Sequence, residues 1–206
     1  MTSLAQSERA ALSELFLEVG PDAPTLCEGW DARDLAAHLV VRERRPDAAV
    51  GIVVKPLAGH LDSVQHGLAH GDYDKLVATV RSGPPFPLTL VDSQINTAEY
   101  FVHHEDVRRA QDGWEPRDLD PRLESALWKI LKLQGRMLFR GSSVGVALRR
   151  PDGTTHVAKG GEPMVTLVGP ASELLLYAFG RTAHARVTLE GDPDALTAFE
   201  GVSLGL

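Results

Sequence analysis

Residues Asn96 to Ala110 read NTAEYFVHHEDVRRA, setting two histidines and three acidic groups into a stretch that otherwise has the make-up of a buried helix. At about 100° per residue, Ile95, Ala98, Glu99, Val102, His103 and Asp106 share one face, while His104, Glu105 and Arg108 point away. Glu99 and His103 thus stand one turn apart on the inward side. That spacing brings a carboxylate oxygen and an imidazole nitrogen to one cation, whereas Glu99 and His104 diverge by about 140°. In ARDLAAHLVVRER, His38 lies beside the apolar stripe of Leu35 and Leu39 and offers a third ligand. Two histidines and a glutamate suit Zn²⁺ and leave its fourth position open, the arrangement of a catalytic centre. Taken singly, His38 reads as a core histidine bonded to a carbonyl, and Glu99 with His103 as an ordinary helix pair. Together they favour a divalent metal, because a Glu and two His inside a bundle without a partner are costly.

Several other side chains are candidates for lesser roles. Asp34, one turn before His38, and Asp106, three residues after His103, are placed to orient the imidazoles, or else serve as helix-end carboxylates. Arg181, in FGR, can grip a carboxylate-bearing ligand in bidentate fashion, or simply complement a helix C-terminus. Cys27 precedes Gly29 and Trp30 in a loop with Glu28 beside it; without a basic neighbour it reads as packing. His60 reads as a partly solvated helix residue, a cavity position being the alternative, and His66, His70, His156 and His184 sit in polar surroundings.

The elements that must position these groups are marked by period and by caps. Ser3 to Val19 is helical and stops at Gly20 and Pro21; Asp31 caps a helix that must end before Pro46. PLAGHLDSVQHGLAHG and DYDKLVATVRSG read as one broken or two short helices, closed by GPPFP at Gly83 to Pro87. Asp92 is placed to cap the NTAEYFVHHEDVRRA helix, and Asp120 with Pro121 starts a further helix running to Gly141. From Ser142 the period changes to alternation: SVGVALRR, a PDG turn, TTHVAKG and PMVTLVG read as strands. A helix in GPASELLLYAFGR, a strand in HARVTLEG and a closing helix capped by Asp192 complete the chain. The expectation is an α+β protein: a four-helix bundle over residues 1–140 and a small α+β domain over 141–206.

LCEGWDARDLAAHLV, together with NTAEYFVHHEDVRRA, resembles the two signature blocks of the mycothiol-dependent maleylpyruvate isomerase N-terminal domain, a DinB-like metal-binding bundle. VTLVGPASELLLYAFGR followed by VTLEGDPDAL is similar to that family's sterol-carrier-like C-terminal domain, so nearly the whole chain is covered. The likeness is greatest to an actinobacterial subgroup of metal-binding relatives. It implies that His38, Glu99 and His103 hold a divalent metal, usually zinc, with mycothiol as thiol cosubstrate. The function so implied is an isomerase or S-transferase acting on an electrophilic or unsaturated acid. The rival is a non-catalytic metal- or small-ligand-binding protein, distinguished by a fourth protein ligand such as His60 or Asp106. A metal-free helical interaction protein ranks last.

Composition narrows the partners. The net charge is −7, with RERR at Arg42 to Arg45 as the evident basic cluster, which gives a nucleic-acid or anionic-membrane surface little support. One cysteine excludes an intrachain disulfide and a multi-thiolate metal site and fits a reducing compartment. With no secretory apolar region and no run long enough to span a bilayer, the expectation is a cytoplasmic protein, monomer or homodimer.

Overall fold

The computed structural model describes residues 2–52, 54–86, 92–202 and 204–205, with the backbone alone at 52, 55 and 93–95. Its packing divides the chain into two compact units, Met1–Pro116 and Arg117–Leu206.

The first unit is helical. α1 (Leu4–Val19) begins at a reciprocal Ser3/Gln6 capping box, and α2 (Ala32–Arg44) at one formed by Asp31 and Asp34. A short α3 (Pro46–Ala49) leads to α4 (Ala58–Ala69) and α5 (Tyr73–Ser82), so the two segments before GPPFP are separate helices. Pro87, which closes that loop in sequence, lies outside the described residues. α6 (Asp92–Arg108) packs along α1, while α2 packs on α4 and α5. Leu12, Phe16, Leu35, Leu39, Val77 and Tyr100 meet in one core. Asp92 lies in the first turn of α6, where its carboxylate takes Arg9 Nη1 at 3.0 Å and Asn96 Nδ2 at 2.7 Å; the residues just before it lie outside the described ones. Arg9, nearly fully buried, also reaches Glu43 at 2.8 Å and stacks over the Tyr100 ring at 4.3 Å. This network locks α6 to α1 and α2 at one end.

The second unit holds α7 (Pro121–Leu138) and a four-stranded sheet: β1 (Gly145–Arg149), β2 (Thr155–Lys159), β3 (Met164–Val168) and β4 (Thr188–Gly191). The strand order is β2-β1-β3-β4, with β1 and β3 parallel and the other pairs antiparallel. The PDG turn joins β1 to β2, and Gly153 there adopts φ +83°, a conformation that favours glycine. α8 (Ala171–Ala178) and α9 (Pro193–Phe199, capped by Asp192) complete the unit.

The division by packing falls before the change of period. α7, counted with the bundle on its helical pattern, packs against α8 and β2 and belongs with the sheet. A strongly amphipathic helix buries its stripe equally well on a helix or on a sheet, so the pattern on its own does not choose the partner.

Candidate metal centre

The three predicted ligands converge. Glu99 Oε1 lies 3.2 Å from His103 Nε2 and 3.6 Å from His38 Nε2. One ligand atom from each residue falls within 4.8 Å of the others, and the two imidazole rings meet edge to face at 5.6 Å. Glu99 and His103 come from adjacent turns of α6. His38 comes from α2, whose start is fixed by the Asp31 cap and whose Leu35 and Leu39 are buried on either side of it in sequence. The side chains of His38, Glu99 and His103 remain 13%, 20% and 12% exposed, so the group sits at the rim of the core rather than sealed inside.

The surroundings set the charges. Burial, the largest influence on Glu99, opposes its ionisation. Hydrogen bonds to His103 and His38 and the charges of His103 and Arg42 outweigh it, holding the carboxyl well below the usual range. Burial also opposes a charged His103, yet bonds with Asp106, Cys27 and Glu99 raise it well above the ordinary imidazole value. His38 is pushed down, chiefly by burial. The donor set is one carboxylate oxygen and two ring nitrogens, which fits a borderline divalent ion such as zinc.

Asp106 orients His103: its Oδ2 lies 2.9 Å from Nδ1, on the far side of the ring from Glu99. A proton kept on Nδ1 by this carboxylate presents the lone pair of Nε2 to a metal. Asp34 does not orient His38, because its carboxylate is engaged at the N-terminus of its own helix. His60 is also elsewhere, half-exposed and 3.1 Å from Asp47. Neither it nor Asp106 joins the three candidate ligands, and among the described residues the His38, Glu99, His103 group has no fourth protein donor. His104 faces α1 and bonds Glu8 at 2.9 Å, outside the group as expected. Glu105, on the same outward side of the pattern, is nevertheless buried against Arg109 at 2.6 Å. The side chain of Ile95 lies outside the described residues.

Two neighbours were not legible as site residues. Arg42 places Nε 3.1 Å from Glu99 Oε1; its position one turn after His38 was the available signal. Cys27, read as packing, does pack against the helical core and also donates its thiol to Asp106 Oδ2 at 3.2 Å, with Sγ 3.9 Å from His103 Nδ1. The loop carrying it is tied to the end of α6 by the Leu26 amide on the Asp106 carbonyl, a tertiary contact with no local pattern. Trp30 packs near the start of α2, 5.0 Å from the His38 ring. Arg181 follows α8 in the second unit, where Nη1 donates to the carbonyl of Phe179, the residue that caps that helix.

No family model matches the sequence, and no curated protein is a significant match. Among solved structures, a point mutant of the mycothiol-dependent maleylpyruvate isomerase superposes with TM-score 0.63 at 18% identity, covering 92% of this chain and 91% of that one. The unmutated isomerase gives 0.59 at 17% identity over the same shares. The chain has the isomerase's fold. The likeness covers most of both units. Among the described residues no helix is long and apolar enough to cross a membrane.

Proposed function

We propose that the protein is a divalent-metal enzyme, with zinc the favoured ion, that uses a low-molecular-weight thiol as nucleophile. The carrying observation is the convergence of His38, Glu99 and His103 on one point at the rim of the helical core. The isomerase fold supports mycothiol as the thiol and an unsaturated or electrophilic acid as its target. A metal bound by the three ligands would lower the pKa of the incoming thiol and steady the thiolate.

The chain's own residues then have separable tasks. Glu99, kept ionised, supplies the one negative charge of the ligand set, and Arg42 beside it limits how far that charge builds up. Asp106 holds the Nδ1 proton of His103, and Cys27 donates to the same Asp106 oxygen. A thiolate that adds to a conjugated double bond, allows rotation and is expelled again gives cis–trans isomerisation, with no net gain or loss of electrons. A thiolate that stays attached, with a proton from water taken up at the carbon that receives the π electrons, gives a thioether by S-transfer.

Calorimetric titration of mycothiol into the zinc-loaded chain, beside H38A, tests the reading. Saturable binding that is absent in H38A is the expected result, and equal heats for the two proteins would overturn it.

A further inference from the structure

A second charged cluster lies wholly within the Arg117–Leu206 unit. Between Ala126 and Arg150 the sequence contains six Lys and Arg and no Asp or Glu, a bias that the chain's overall −7 conceals. Four of the six lie on α7 or just beyond it. Arg149 and Arg150 find carboxylates, in Glu190 and Asp152 respectively. Among the described residues Arg136 and Arg140 find none.

Both line a cavity of about 590 Å³ between α7 and the edge strand β2, together with Val157, Ala158, Lys159 and Gly160. The wall is drawn close by Gly135, where a Cβ would stand 2.9 Å from that of Ala158. Because α7 rests this tightly on β2, the guanidinium groups one and five residues later come alongside the strand's edge. Gly160 would meet nothing within 4 Å if it bore a Cβ, so that end of the cavity is open. Three cations thus border one small-molecule-sized space with no acidic residue in its lining, and the half-exposed Val157 gives it an apolar side.

Like charges gathered in this way repel unless an anion lies between them. Two arginines, one in the last turn of α7 and one just beyond its end, suit an acceptor with several oxygens and more than one negative charge. We infer that the groove between α7 and β2 binds the phosphate group of a phosphorylated small ligand, with Arg136 and Arg140 as its principal contacts and Lys159 as a third. A phosphate monoester approaches two negative charges at neutral pH, which answers the three cations better than a single carboxylate does. A soluble metabolite and a lipid headgroup both present such a group, two sources with the same chemistry.

The test uses the full chain. Inorganic phosphate and glycerol 3-phosphate are titrated by calorimetry at low salt, and sedimentation is measured with phosphatidylcholine vesicles with and without phosphatidic acid. R136Q/R140Q is the test variant. Both arginines are exposed, so the fold is not at risk, and K159Q provides an independent second variant. R122Q, an exposed arginine on the same helix paired with Asp120, controls for net charge. The expected result is saturable binding weakened about tenfold or more in R136Q/R140Q, as loss of charge-assisted hydrogen bonds requires, weakened less in K159Q and unchanged in R122Q. Binding of the soluble ester assigns the site to a metabolite, and binding to phosphatidic acid vesicles alone assigns it to a headgroup. Absence of binding to every probe, or equal weakening in R122Q and R136Q/R140Q, would overturn the inference.

Discussion

His103 is held from both sides of its ring, by Glu99 at Nε2 and by Asp106 at Nδ1. The account therefore gives Asp106 a role that is distinct from ligation. Replacing it by Asn keeps the shape but removes the carboxylate that fixes the Nδ1 proton. Metal affinity should fall roughly 10- to 100-fold with the fold retained. Competition against a chromophoric chelator measures this, and an unchanged affinity would remove Asp106 from the site. Cys27 offers a finer comparison. C27S preserves a donor to Asp106 and should bind metal nearly as the wild type does, whereas C27A leaves that oxygen one partner short and should bind more weakly. The same chelator assay separates them. Of these residues, Glu99 and His103 were readable from sequence as a pair because i and i+4 on one helix are neighbours by geometry. Cys27 was not, since only the loop's return to the end of α6 brings it there.

At the scale of elements, α6 is anchored by the Arg9, Glu43, Asp92 and Asn96 network, whose two carboxylates respond to pH in opposite directions. Burial works against an ionised Asp92, but Arg9 and Asn96 overcome it and hold the group below its usual value. Asp92 therefore adds stability that is present above the unfolded-state pKa and is lost as pH falls through the folded one. Glu43 is pushed up, chiefly by burial, so the folded state favours its protonated form and stability declines as pH rises past about 4.3. Denaturation midpoints across the acidic range should show D92N losing the acid-sensitive limb and E43Q losing the decline above it. Parallel curves for wild type and D92N would refute the assignment. A different element, α7, depends on its close approach to β2. Gly135→Val must push α7 away from Ala158 and should cost about 1–3 kcal/mol in chemical denaturation. Helix limits were legible in this chain because Asp31, Asp120 and Asp192 cap where capping residues are expected, and Gly20 and Gly83 stop what precedes them. What α7 packs against was not legible, because its apolar stripe is equally good against a sheet.

Over the whole molecule, chemistry and charge are divided between the units. The candidate metal-ligand group and the acidic excess lie in Met1–Pro116, whereas Arg117–Leu206 is nearly balanced in charge and carries the cation-lined cavity and Arg181. A net charge taken over the full chain averages these away, which is why the acid-free stretch from Ala126 escaped a reading centred on RERR. The order of units, the change from helical to alternating period and the ligand pattern were all present in the sequence. The junction at Pro116 was not, because it is set by packing. Metal added to the purified chain should raise the temperature of the unfolding step in which the helical unit melts, since binding to the folded form alone stabilises it by mass action. Calorimetric scans with and without zinc check this, and identical scans would argue against binding.

The most direct measurement is the metal content of the purified full chain by plasma mass spectrometry, beside His103→Ala. About one divalent ion per wild-type chain, retained through gel filtration and lost from a folded variant, is the predicted result. A folded wild-type chain that takes up no metal after reconstitution with zinc would contradict the account at its centre.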